Sequence, residues 1–152
     1  MSRQYWLMKS EPSKFSFAQL LKDGRTSWDG VRNFEARNSL RGMKKGDLAL
    51  FYHSNEGKEI VGVVRVDREA YPDPTAPGED WSVVDVVPIA SMKAPVSLEI
   101  IKSDPTLADI ALLKRSRLSV VPLSKPHFDH LLALGKTRLP ARFDPDAQKK
   151  SA

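Results

Sequence analysis

Apolar and polar residues along this chain switch between two periods, and the switches mark its elements. Gln4 to Lys9 is an apolar and aromatic run that reads as a strand. It stops at Ser10-Glu11-Pro12, since proline cannot continue a ladder. Ser16 stands three residues before Gln19, a capping-box spacing. Phe17, Leu20 and Leu21 then share a helical face until Gly24 ends the helix. Phe34 to Arg41 reads as a second short helix, with Gly42 after it. Lys44 to Asp47 is a turn into the strand LALFYHS. Asn55 to Lys58 is a hairpin loop, and EIVGVVRV returns as the partner strand.

These two strands are apolar almost throughout, so both of their faces are expected to be covered. Gly62 inside the second predicts a bulge or the close approach of another group. Tyr71 to Gly78 is a proline-rich loop, Trp81 to Val87 a strand, and Ala90 to Val96 its continuation beyond Pro88. Short helical segments follow at 97–103 and 106–114. Leu118 to Val121 is a short strand, and Phe128, Leu131, Leu132 and Leu134 lie at helical spacing before Gly135. Strands outnumber helices in mixed order and no internal repeat is visible. The pattern predicts an α+β domain with a barrel-like mixed sheet and flanking short helices.

Length and composition narrow the function classes. The 152 residues suit one domain, 41% hydrophobic and 28% charged, an ordinary globular balance. The chain has no cysteine, which excludes disulfides, thiolate metal sites and cysteine catalysis. His53, His127 and His130 have no recognisable metal-ligand spacing, so neither metal nor cofactor is expected. No signal peptide is seen and no apolar run approaches membrane-spanning length. The expectation is a cytoplasmic protein without a membrane partner. The formal net charge of +5 permits nucleic-acid binding without requiring it. Its distribution is more informative, because six Lys/Arg face two acids between Gly24 and Gly46.

That basic excess surrounds the segment Thr26 to Arg41. Trp28 precedes the turn dipeptide Asp29-Gly30, Asn33 offers donors and acceptors, and the arginines offer phosphate contacts. A tryptophan, an asparagine and several arginines on one short segment suit a pocket for a single nucleobase. The alternative is structural. Trp28 is then a packing residue, Asn33 a helix N-cap, His53 a satisfied strand histidine, and Trp81 a cap on the sheet after the Gly-Glu-Asp turn.

Several blocks carry a resemblance. YWLMKSEP (5–12), WDGVRN (28–33), ARN (36–38), MKKGD (43–47), FYHS (51–54), IVGV (60–63), YPDP (71–74) and RLSV (117–120) resemble the EVE domain family, in the family's order and as far as about Leu134. The resemblance implies an EVE domain over 1–135 and leaves 136–152, which is basic and lacks apolar periodicity, as a flexible tail. It implies a PUA-like pseudo-barrel, similar in fold to the YTH readers of methylated adenine. It also implies binding of a modified base, methylated or hydroxymethylated cytosine first, in DNA or RNA.

By that resemblance Trp28 stands where YTH domains have a cage tryptophan. Lys9, Ser10 and Glu11 stand where a pocket-lining segment falls, and Trp81 near a second cage aromatic. Asn33, His53 and Ser54 belong to the quoted blocks and join the base pocket. Arg32, Arg37, Arg41, Lys44 and Lys45 are the expected phosphate contacts. The expected partner is nucleic acid carrying the modified base, with an effector protein to act on the signal.

No nucleophile–base pair and no phosphate-binding glycine loop stands out. A binding module without chemistry is therefore the first reading. The alternative is an amidohydrolase of the ASCH type on modified nucleosides, with Lys9 and Glu11 as base and acid. A third reading is a protein-interaction domain that uses the loop at 71–78.

Overall fold

The computed structural model describes residues 3–140. Six strands form one mixed sheet, β1 (Tyr5–Ser10), β2 (Thr26–Ser27), β3 (Leu48–His53), β4 (Glu59–Pro72), β5 (Ser82–Ser97) and β6 (Val120–Leu123), in the order β2-β5-β4-β3-β1-β6. β1 runs parallel to β3, and the other pairings are antiparallel. Among the described residues there are also five α-helices, α1 (Phe17–Asp23), α2 (Phe34–Gly42), α3 (Leu98–Ser103), α4 (Ala111–Lys114) and α5 (Lys125–Leu134), and one 3-10 turn (Pro105–Leu107). This is the α+β architecture with flanking short helices that the sequence pattern predicts.

The period-2 pattern sorts each central strand between two cores. Trp6 and Met8 of β1, with Ala49 and Phe51 of β3, face the side covered by Phe17 and Leu20 of α1 and Ala36 and Leu40 of α2. Tyr5 and Leu7, with Leu48, Leu50 and Tyr52, face the side covered by Ile101, Leu112, Phe128 and Leu131 of α3, α4 and α5. The two strands are apolar as far as Met8 and Tyr52 because neither face meets water there, and polar residues begin only at their ends.

β4 is longer than the sequence suggests, while β5 has the expected continuation. β5 runs through Pro88 without a break, and β4 continues to Pro72. The β4–β5 register shifts four times, one shift falling between Val63 and Val64, where Val64 pairs with Pro88. An irregular ladder accepts a residue with no N–H, and each bulge bends and twists the pair, which curls the sheet. Gly62 sits at such a shift and also under Phe17, whose ring carbon lies 2.2 Å from where a Cβ would stand. Both expectations for this glycine hold.

Local capping follows the chemistry of the sequence. The Ser16 hydroxyl accepts from the Gln19 N–H, while the Gln19 side chain bonds Asp23 and not the cap, so the box is half closed. The segment read as a tail from 136 begins tied down. Thr137 Oγ1 accepts from the Lys93 N–H, and Leu139 packs against the core under α5. The rest of it, 141–152, lies outside the described residues.

Candidate nucleic-acid interface

The loop after β2 is built around one buried acid. Trp28 is set by the short β2–β5 pairing and by its own N–H, which donates to the Val84 carbonyl at 2.8 Å. The chain then turns at Gly30, whose φ of 77° suits glycine. Asp73, only 2% exposed, closes the loop from outside. Its Oδ2 accepts from the Gly30 N–H (3.0 Å) and the Arg32 guanidinium (2.9 Å), and its Oδ1 from the Thr75 N–H (2.7 Å) and hydroxyl (2.6 Å). Burial pushes this carboxyl up, but the hydrogen bonds from Thr75, Arg32 and Gly30 outweigh it and hold the pKa at about 2. The proline-rich loop thus clamps the 28–32 turn.

Beside that turn lies an open cleft of about 740 Å³ at the end of the sheet where β1 and β3 finish and β6 begins. Three segments line it. They are Lys9 to Glu11 with Lys14 and Phe15, Thr26 to Arg32, and Ser116 to Ser119, with Ser54 joining after β3. Long-range bonds fix them together. The Lys9 N–H donates to the Ser119 carbonyl (2.8 Å), the Lys9 Nζ to the Ser116 carbonyl (2.9 Å), and the Ser54 N–H to the Ser10 carbonyl (2.9 Å). The Ser10 hydroxyl donates to the Phe15 carbonyl at 2.6 Å and keeps its oxygen as an acceptor.

The lining carries four cationic side chains (Lys9, Lys14, Arg32, Arg117) and two acidic ones (Glu11, Asp29). Glu11 pairs with Lys14 at 3.3 Å. Burial pulls the Lys9 ammonium below its ordinary range.

The expected pocket residues divide on this geometry. Trp28, Lys9, Ser10, Glu11, Ser54 and Arg32 all line the cleft. Trp28 does so differently than expected. It is 7% exposed and packs edge-on against Phe51 (5.4 Å, 85°), so it forms an apolar floor and not a free-standing cage wall.

Asn33 is the N-cap of α2, its side-chain oxygen accepting from the Ala36 N–H, and it stands outside the lining. His53 also stands outside the lining. Its Nε2 accepts from the Phe17 N–H at 3.1 Å, which leaves the proton on Nδ1, and burial lowers its pKa despite Glu59.

Trp81 stands apart as well. It stacks on Phe34 (5.3 Å, 16°) and lines a second, shallower hollow of about 390 Å³ with Arg41. Of the remaining phosphate candidates, Arg37 and Arg41 both bond Asp80, and Lys44 and Lys45 occupy the exposed turn between α2 and β3. None of these four lines the cleft.

Sequence reasoning missed Lys14, Phe15 and Ser116 to Ser119. Arg117 to Ser119 even lie within a motif block quoted for the family. Nothing local marks Ser116 to Ser119 as pocket residues, because they meet Lys9 across more than a hundred residues of chain.

A curled mixed sheet with helices on both faces and a cleft at one end is the PUA-like class of fold. It corresponds to the YTH domain of the Zygosaccharomyces rouxii MRB1 protein at TM-score 0.56 and 18% identity, over 90% of each chain. The family model of the EVE domain matches residues 4–134, and the chain belongs to that family.

Mouse thymocyte nuclear protein 1 is 40% identical over 88% of this chain and 74% of its own. A crystal structure of an Agrobacterium tumefaciens protein superposes at TM-score 0.87 with 42% identity, over 88% of this chain and 94% of that one. Human THYN1, crystallised in complex with DNA containing 5-methylcytosine, superposes at TM-score 0.83 with 37% identity, over 89% and 99%.

Proposed function

We propose that this domain reads a modified base in nucleic acid, taking 5-methylcytosine in DNA as the first candidate, and that the base leaves the stack and enters the cleft beside Trp28. The observation that carries the reading is the lining itself. An apolar floor, hydroxyl and backbone groups at fixed positions, and an excess of cations meet in one open cleft. The DNA complex of the human relative supports it.

The energetics set the scale. Extruding a base costs a few kcal/mol, so the cleft must offset that cost with contacts to the base and flanking phosphates. Ser10 and the neighbouring backbone offer the polar contacts. Trp28 and Val31 offer the apolar ones. Arg32, Arg117 and Lys14 at the rim are placed for phosphate, which makes affinity fall steeply with salt. A buried methyl contributes about 0.8 kcal/mol, a preference of about fourfold over the unmodified base. A larger preference requires that the unmodified base leave a void. In this reading the domain has no chemistry of its own and signals through an effector protein.

The test is a fluorescence titration with matched DNA and RNA oligonucleotides, each with one modified or unmodified base, at two salt concentrations. Trp28→Ala is a poor probe, because Trp28 is core. Ser116→Leu narrows the cleft from an exposed position and leaves the core untouched. A preference for one modified base that Ser116→Leu abolishes supports the reading. Equal affinity for modified and unmodified strands refutes it.

A second reading, amide hydrolysis on a modified cytidine, is favoured by one observation. Lys9 and Glu11 both line the cleft, with the Lys9 ammonium lowered by burial. Ammonia or acetate released from a nucleoside panel, and lost in Lys9→Met, would establish it. A silent panel would remove it.

A further inference from the structure

We propose that Phe34, seated on Trp81, is a second nucleobase subsite that stacks the nucleotide next to the one in the cleft. The proposal rests on the reader function above and extends it from a single base to a dinucleotide step.

Phe34 is the first residue of α2 and is 66% exposed, the highest value among the exposed large apolar residues of the described chain. It is nevertheless held in place. Its ring stacks nearly parallel on Trp81 (5.3 Å, 16°), and the Arg37 guanidinium lies 4.9 Å from its centre and 5.9 Å from that of Trp81. A fixed aromatic ring with most of its surface in solvent is costly unless something covers it.

The surroundings select the occupant. Arg37 lies at this ring pair with Arg41 beside it, and both bond the carboxylate of Asp80, itself 78% exposed, while Arg32, which also reaches Trp81, is paired with Asp73. Two guanidiniums on one exposed carboxylate leave positive charge for a polyanion, and a phosphate suits the same donors. Aromatic rings interleaved with arginines match a nucleotide strand, since every base has a face to stack and every link a charge.

The platform is also continuous with the cleft. Arg32 lines the cleft, and its guanidinium carbon stands 5.7 Å from the Trp81 ring centre. One residue thus borders both sites, and Asp73 fixes it through Oδ2. A strand that places one base in the cleft passes Arg32 and meets Phe34 next.

The experiment uses the full chain and a short DNA with one 5-methylcytosine and 2-aminopurine as its neighbour, on the 5′ side in one probe and the 3′ side in another. Wild type should quench one probe on binding. Phe34→Ala should lose that quench and bind the DNA about fivefold to a hundredfold more weakly, with free 5-methyldeoxycytidine binding unchanged. Phe34→Trp should restore both.

Phe34→Ala with wild-type affinity and quench overturns the platform and leaves the cleft reading intact. Equal weakening toward the free nucleoside also overturns it, because Phe34 would then act through the cleft or the fold. DNA affinity that depends on Phe34 but ignores the methyl keeps the platform and refutes the cleft reading. Absence of any DNA binding refutes both.

Discussion

Replacing Asp73 by asparagine removes one charge and almost no volume, and it tests how the cleft is built. The carboxylate accepts four hydrogen bonds, two on each oxygen. Asparagine keeps one oxygen and puts an NH2 where the other stood. Whichever way it turns, two donors lose their acceptor and meet another donor. If the NH2 faces Gly30 and Arg32, the loop turn is released. Arg32 is exposed enough to rehydrate, but the Gly30 amide then lacks its buried acceptor. The cost from charge-assisted bonds is about 2–4 kcal/mol.

Proton linkage puts a similar figure on the same hydrogen bonds. The carboxyl pKa is lowered from 3.8 to about 2, which corresponds to about 2.5 kcal/mol of stability at neutral pH. The folded form binds its proton less readily than the unfolded form does. That contribution is therefore complete above pH 4 and is lost as pH falls toward 2. The assay is urea denaturation of wild type and Asp73→Asn at pH 7 and at pH 3, with amide exchange at Gly30. The expected result is a loss of about 2–3 kcal/mol at pH 7, a smaller gap at pH 3, and faster exchange at Gly30. A variant within 0.5 kcal/mol of wild type with Gly30 still protected would refute the clamp.

Other outcomes follow from single contacts. Gly62→Ala sets a methyl into the Phe17 ring, and chemical denaturation should show a loss of about 1–3 kcal/mol from overpacking. His53 must stay neutral to accept the Phe17 N–H, and its pKa is lowered by burial. The unfolded form binds the proton more readily, so stability should fall as pH drops below about 6.5. Melting curves at pH 7.5 and 5 should show a larger shift for wild type than for His53→Gln. Arg117→Gln should weaken binding to every oligonucleotide alike and reduce the salt slope by about one, read from affinities at several salt concentrations.

Much of the fold was legible because local patterns agreed with tertiary contacts. Ser16, Gly24 and Asn33 bound the helices that the sequence predicts, and the unbroken apolar runs of β3 and β4 announced a sheet covered on both faces. The continuation of β5 beyond Pro88 was legible from the apolar residues at 90–96, but the bulge that receives the proline was not, because it belongs to the pair of strands. The two-residue β2 is too short to carry a period at all.

The site was half legible for a similar reason. Trp28 and Lys9 to Glu11 sit in blocks dense with unusual residues, and they do meet. Asn33 and Trp81 lie in equally distinctive blocks, but a backbone cap and an aromatic stack use them locally. Arg32 was read as a phosphate contact without its partner, since nothing in WDGVRN shows that Asp73 will reach it from the proline-rich loop. Ser116 to Ser119 join the cleft only because β6 pairs with β1.

Occupation of the cleft beside Trp28 by a modified base can be read residue by residue from amide chemical shifts. Isotope-labelled protein would be titrated with two short DNAs that differ by one cytosine methyl. Shifts should concentrate at 9–11, 28–32 and 116–119, and the methylated strand should saturate them at lower concentration. Shifts gathered instead at the Lys44-Lys45 turn, equal for the two strands, would contradict occupation of the cleft.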